Sequence, residues 1–116
     1  MITTEDGALI SRPVWADFQG RDWKDRVRLD LPGTQRDLAE HGAELTAGLR
    51  VVLFDEDADT EGKVDDLVVV GEIEFDEGER RWVARVDWAQ VTHVSRLTEG
   101  EADAYRRYRP QSVGRV

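Results

Sequence analysis

Val14, Ala16 and Phe18 alternate with Trp15, Asp17 and Gln19, the period of two that a strand with one buried face requires. Val27, Leu29 and Leu31 alternate in the same way with Arg26, Arg28 and Asp30. The polar, turn-like residues 20–25 between the two runs predict that they pair as a hairpin. Pro32 and Gly33 end the second strand, because proline offers no amide to a ladder and glycine opens turn conformations. Thr34 reads as the N-cap of a short helix through Glu40, with Asp37 in its first turn and His41 and Gly42 at its end. Only Leu38 and Ala39 are apolar within that helix, so it is expected to plug one end of a barrel and not to form a layer.

Leu49, Val51 and Leu53 share one strand phase while Val52 and Phe54 share the other, which predicts a central strand covered on both sides. In residues 67–75, Leu67, Val69, Ile73 and Phe75 face one way and Val68, Val70, Glu72 and Glu74 the other. The interrupting Gly71 reads as a bulge or sharp bend. A turn around Gly78 joins this strand to a fifth, in which Trp82, Ala84, Val86 and Trp88 alternate with Val83, Arg85 and Asp87. Val91, Val94 and Leu97 are spaced by three, which fits either a helical turn or a short last strand. Residues 101–108 admit a helix whose only large apolar side chains are Tyr105 and Tyr108, and residues 109–114 read as a loose end.

These elements sum to a mainly β chain: a small five- or six-stranded antiparallel barrel over residues 1–98, with one short helix. A flexible, partly helical or disordered tail over 99–116 follows, with disorder expected beyond about residue 110. The segment Gly48-Leu49-Arg50-Val51-Val52-Leu53, with Gly71-Glu72-Ile73 followed by Trp82-Val83-Ala84, resembles half of an SH3-like barrel. The resemblance covers under half the chain and implies a fold; a fold of this kind hosts many functions and implies none.

A chain of 116 residues is long enough for one hydrophobic core and short for two. With no cysteine it has no disulfide and no thiolate metal site, and nothing in it exploits an oxidising compartment. Glu5 and Asp6 stand where a secretory signal wants basic and then apolar residues. The longest apolar run, residues 67–70, is far below the roughly 20 residues of a membrane span. A soluble, cytoplasmic protein without a membrane partner is the expectation.

Charge changes the picture more. Between Asp55 and Glu79 twelve carboxylates face Lys63 alone, so this stretch carries more negative charge than the whole chain's net −9. Such a field repels phosphate backbones, which disfavours nucleic acid, and attracts cations or basic protein surfaces.

Within that stretch, residues 57–65 resemble the front of an EF-hand calcium loop. Asp57, Asp59 and Glu61 fill the first three ligand positions, Gly62 the turn, Lys63 the carbonyl position and Asp65 the ninth. Val68 stands where the closing bidentate glutamate belongs, and strands replace the flanking helices, so calcium is an alternative ligand only. Asp55 and Asp66 are the nearby replacements for the absent carboxylate.

Catalytic patterns are sparse. His41 suits a helix C-terminus and His93 a half-buried packing role, while Glu72 and Glu74 opposite Arg85 or Asp87 fit solvated cross-strand pairs better than acid–base work. No catalytic residue and no resident cofactor is expected. A small carboxylate enzyme using His93 is the weakest alternative.

Trp82 and Trp88 share the core phase. Trp15 and Trp23 do not, and as neighbours they would form an exposed platform for a peptide or a partner subunit; otherwise they fold over a barrel end. Arg26, Arg28 and Arg50 suggest a basic stripe near them, open to neutralisation by carboxylates. Arg106, Arg107 and Arg109 among Tyr105 and Tyr108 make a basic aromatic segment of a kind that touches RNA, an acidic surface or the chain's own acidic hairpin. The leading expectation is a non-enzymatic domain that binds another protein, or a second copy of itself. The contact would run through the acidic loop and hairpin of residues 55–79, with Glu72 and Glu74, or through Trp15 and Trp23.

Overall fold

The computed structural model describes residues 1–42 and 44–110. Its elements in chain order are β1 (Val14–Trp15), β2 (Val27–Arg28), α1 (Pro32–Glu40), β3 (Arg50–Asp55), β4 (Leu67–Asp76), β5 (Arg81–Val86), β6 (Thr92–His93) and α2 (Glu99–Tyr108). The strands form one curled, half-barrel sheet in the order β1-β3-β4-β5-β2, and β6 pairs with β4.

The sheet is mixed. β3, β4 and β5 form the expected antiparallel meander, but β1 runs parallel to β3, with Val14 beside Leu53 and Trp15 beside Phe54. β2 pairs instead with β5, Val27 beside Ala84, so the hairpin expected between β1 and β2 does not form. A parallel pair needs a long crossover, and the chain between Trp15 and Arg50, with α1 in it, supplies one. Alternation had revealed which faces of the two strands are buried, and these faces are buried as read: Val14, Ala16, Phe18, Val27 and Leu29 all lie in the core.

β3 is covered on both sides. Val51 and Leu53 join a first core cluster with Val69, Ile73, Ala84 and Leu38 of α1, while Val52 and Phe54 join a second with Ile2, Val68, Ala102 and Tyr105. The second cluster exists because α2 lies on the sheet. Residues 99–108 form the helix the sequence admits there, and it packs on the sheet: Ala102 and Tyr105 are buried, Tyr105 at 1% exposure. A capping box at Thr98 and Glu101 starts the helix. The residues beyond 110, expected to be disordered, lie outside those described.

Two local readings change. α1 begins at Pro32, with Leu31 at the N-cap, because proline suits the first helical position. Thr34 is thus inside the helix, fully buried, its hydroxyl without a hydrogen-bond partner. At Gly71 there is no bulge, since the β4 register continues through it on both sides, Val51 opposite on β3 and Val86 on β5. Glycine is required by crowding: an added Cβ would sit 2.9 Å from Leu53 Cδ1 and 3.1 Å from Ala84 Cβ. Gly71→Ala should lower stability by about 1–2 kcal/mol, overpacking outweighing the entropy that alanine saves. Urea denaturation checks this, and a stabilised variant would contradict it.

The ambiguous spacing of Val91, Val94 and Leu97 resolves into both readings. β6 takes the place beside the first residues of β4 that β5 leaves open, and a 3₁₀ turn, Val94–Arg96, follows at once.

At each outer edge of the sheet the chain itself caps one outward amide. The outward Trp15 N–H donates to Asp37 Oδ2 at 2.8 Å. Just before β2, Arg26 N–H donates to Asp22 Oδ1 at 2.8 Å and its carbonyl accepts from Asp22 N at 2.9 Å. Burial holds the Asp37 carboxyl above the usual carboxylate range.

Candidate interaction surface

Residues 20–25 form a turn with little freedom. The Asp22 carboxylate accepts from Lys24 N at 2.9 Å, Arg26 N at 2.8 Å and Arg26 Nε at 2.9 Å, and Asp25 N donates to Asp22 O at 2.9 Å. Asp25 sits at φ 59°, a left-handed conformation that aspartate tolerates better than most residues. Its carbonyl accepts from Trp88 Nε1 at 2.8 Å. Trp88 is itself held edge-on by Phe18, with the Arg21 guanidinium 3.6 Å from its ring centre. At the tip of this turn Trp23 is 73% exposed, with Lys24 Nζ 4.8 Å from its ring centre.

The turn is tied to the acidic hairpin through Arg26. This guanidinium, 6% exposed, pairs with Asp22 at 2.8 Å, with Glu74 at 2.7 Å and with Asp76. The Glu74 hydrogen bond, helped by Asp22 and Asp76 and opposed by burial, raises its already high pKa further. Asp22 and Asp76 are held below the usual carboxylate range. Burial opposes this at Asp22 and is outweighed by the donors of Arg26; at Asp76 the Glu79 N–H and then Arg26 are the causes. Beyond Asp76, the turn to β5 presents Glu77 and Glu79 to solvent.

The residues singled out in the sequence divide between places. Glu74 joins the Trp23 turn through Arg26. Glu72 pairs with exposed Arg85 across the strands at 2.8 Å, a solvated cross-strand pair. Trp15 belongs elsewhere: half-buried against the second core, it donates Nε1–H to Asp55 Oδ1 at 3.2 Å. The contacts of Trp15 and Trp23 have no residue in common, and the two do not form a shared platform. The basic stripe does not form either, because Arg26 is neutralised by three carboxylates and Arg28 by Asp30 at 3.0 Å.

The acidic loop is a small hairpin closed by an Ala58–Val64 bridge. Asp59 Oδ1 accepts from Glu61 N and Lys63 N, both at 2.9 Å. Asp57 meets His93 Nε2 at 2.9 Å, and Asp65 accepts from Ser95 N at 3.0 Å and Ser95 Oγ at 2.6 Å. Those contacts hold both carboxyls below their usual range, led by His93 for Asp57 and by the Ser95 hydroxyl for Asp65. Glu61 is exposed at the loop tip. Among the described residues no three His, Asp or Glu side chains are gathered as a metal site.

His41 ends α1, its Nε2 3.1 Å from Pro13 O. Sequence reading did not find the role of Asp66. This buried carboxylate accepts from Tyr105 Oη at 2.7 Å and from Arg109 Nε at 2.6 Å, and Arg109 also reaches Glu56 at 3.4 Å. The one signal in the chain was the i, i+4 spacing of Tyr105 on α2 and Arg109 at its C-cap, which puts a hydroxyl and a guanidinium on the same side; nothing local tied them to Asp66. Arg109 thus turns inward, and of the basic aromatic segment Arg107 and Tyr108 remain outward, while Arg106 pairs with Asp103 at 3.6 Å.

No family model matches the chain, and no curated protein or solved structure matches it. The class that fold and surface define is a small, mainly β protein with, among the described residues, a curled sheet of six strands and two short helices. No helix among the described residues is long and apolar enough to cross a membrane.

Proposed function

We propose that the protein is a cytoplasmic, non-enzymatic interaction domain that binds another protein through the Trp23 turn and the acidic β4–β5 hairpin beside it. The observation that carries this reading is Trp23 itself, an indole left in water on a turn whose geometry is fixed by Asp22, Asp25, Arg26 and Trp88. A large aromatic on a pre-ordered turn is the kind of anchor that supplies binding energy with little ordering cost. The partner surface would offer an apolar pocket with basic residues around it, to meet Glu77 and Glu79. The β3–β4–β5 meander supports the SH3-like likeness in strand order, and the parallel β1 departs from it.

The calcium alternative has less support, because among the described residues no three His, Asp or Glu side chains converge, and Asp57 and Asp65 turn to His93 and Ser95. Glu72 and Glu74 serve the proposed surface as acidic flank, with Glu74 fixing the turn.

The test is co-purification on immobilised wild type, followed by measuring the recovered partner's affinity for wild type and for Trp23→Ala. Trp23→Ala should bind at least about 30-fold more weakly, while its stability stays within about 0.5 kcal/mol of wild type, as for an exposed substitution. A partner indifferent to Trp23, or a chain that recovers no partner at micromolar concentration, would count against the reading.

A further inference from the structure

The periodicity of α2 gives it two working faces. Ala102, Tyr105 and Arg109 turn to the sheet, whereas Ala104, Arg107 and Tyr108, spaced as helical neighbours, turn toward the N-terminal loop. That loop is itself ordered: Thr3 bridges Leu9, and Thr4 N donates to Ala8 O at 2.7 Å. Between loop and helix lies a cleft of about 510 Å³, within the size range of small-molecule sites.

Its walls carry two guanidiniums, Arg12 and Arg107. Among the described residues neither has a carboxylate within ion-pair reach, in contrast to Arg26, Arg28, Arg85, Arg106 and Arg109. Arg12 is nevertheless positioned, because it lies over the Tyr108 ring at 5.3 Å, a contact that orients the cation without neutralising it. Arg107 also favours the negative end of α2, but that accounts for one of the two cations only. The single carboxylate on the walls, Asp6, already accepts from Thr4 Oγ1. Ala8, Leu9, Ala104 and the Tyr108 ring complete an apolar side.

We propose that this cleft binds a small aromatic oxyanion, its phosphate or carboxylate head between Arg12 and Arg107 and its ring against Leu9, Ala104 and the free part of Tyr108. Guanidinium forks match both heads in shape and charge. The site is separate from the Trp23 turn, so either reading stands if the other fails.

The experiment is a titration of the isotope-labelled protein with phenyl phosphate, benzoate, inorganic phosphate and benzyl alcohol, followed through the Arg12 side-chain and Ala104 backbone N–H signals. Phenyl phosphate or benzoate should bind saturably below about 10 mM, in line with the affinity open to so small a ligand. The tighter of the two identifies the head. Arg12→Gln and Arg107→Gln should each weaken binding about tenfold or more, while Arg36→Gln, on α1, leaves it unchanged. Unchanged Tyr105 ring signals would show that α2 remains docked in the variants. Failure of both aromatic anions to saturate, indifference to both variants, or inorganic phosphate binding as tightly as phenyl phosphate would overturn the proposal. Benzyl alcohol binding as tightly as the tighter of the two aromatic anions would overturn it as well.

Discussion

Arg26→Met should cost about 3 kcal/mol at neutral pH, the low end of the range for breaking a buried ion pair because Glu74 is one-third exposed. Methionine keeps an apolar stem of similar length but leaves Asp22, Glu74 and Asp76 facing one another without a cation. The loss should be read by urea denaturation across pH. In the wild type, Asp22 and Asp76 titrate below their ordinary value, so their stabilising contribution is present above about pH 4 and lost as pH falls through the lowered folded values. In the variant the same carboxylates repel, and protonating them brings relief. The gap between the two proteins should therefore hold near neutral pH and narrow as the pH falls through the carboxylate range toward pH 3. A gap independent of pH would mean that Arg26 acts by packing and not by charge.

Asp66→Asn is the second large effect. It should lower stability by about 2–3 kcal/mol, the value of a buried hydrogen bond to a charged partner, while Tyr105→Phe costs only about 1 kcal/mol by deleting a single hydroxyl. In the wild type the charge of Asp66 more than offsets the burial that works against the Arg109 cation, and burial together with Asp66 keeps the Tyr105 phenol protonated. Amide exchange should locate the damage, with protection lost first in α2 and at Val68 and Val94, where the helix rests. Uniform loss over the whole sheet would show that α2 does not open separately.

Why some of this was legible and some was not follows from the range of the interactions. β3, β4 and β5 were readable because a strand's faces are printed in its own alternation. Even the change along one face of β4, from Val68 and Val70 to Glu72 and Glu74, marks where the second core under α2 gives way to ion pairs. A helix at 101–108 was readable but its covering role was not, because α2 contributes just Ala102 and Tyr105 to that core and otherwise docks through Asp66, far away in the chain. The partner of β1 was misread for a related reason: alternation tells which side is buried but not which strand lies alongside, and a two-residue strand says little more.

The proposed surface shows the same limit. Trp23 stood out as an indole in a polar turn, yet Arg26 read as part of a basic stripe, since only Asp22 is its neighbour while Glu74 and Asp76 lie 48 and 50 residues on. Trp15 looked equally free because its two fixed partners, Asp37 and Asp55, are also remote. At Thr34 two local rules competed, and the proline two residues earlier set the helix start.

The sealing of Trp15 by Asp37 and of Arg26 by Asp22 has a consequence for crowded solution. With one outward amide taken at each border, and two residues in either border strand, an incoming extended chain finds only a short template to zip onto, so neighbouring copies gain little by lining up side by side. Removing either aspartate would lengthen that template and favour fibrous association.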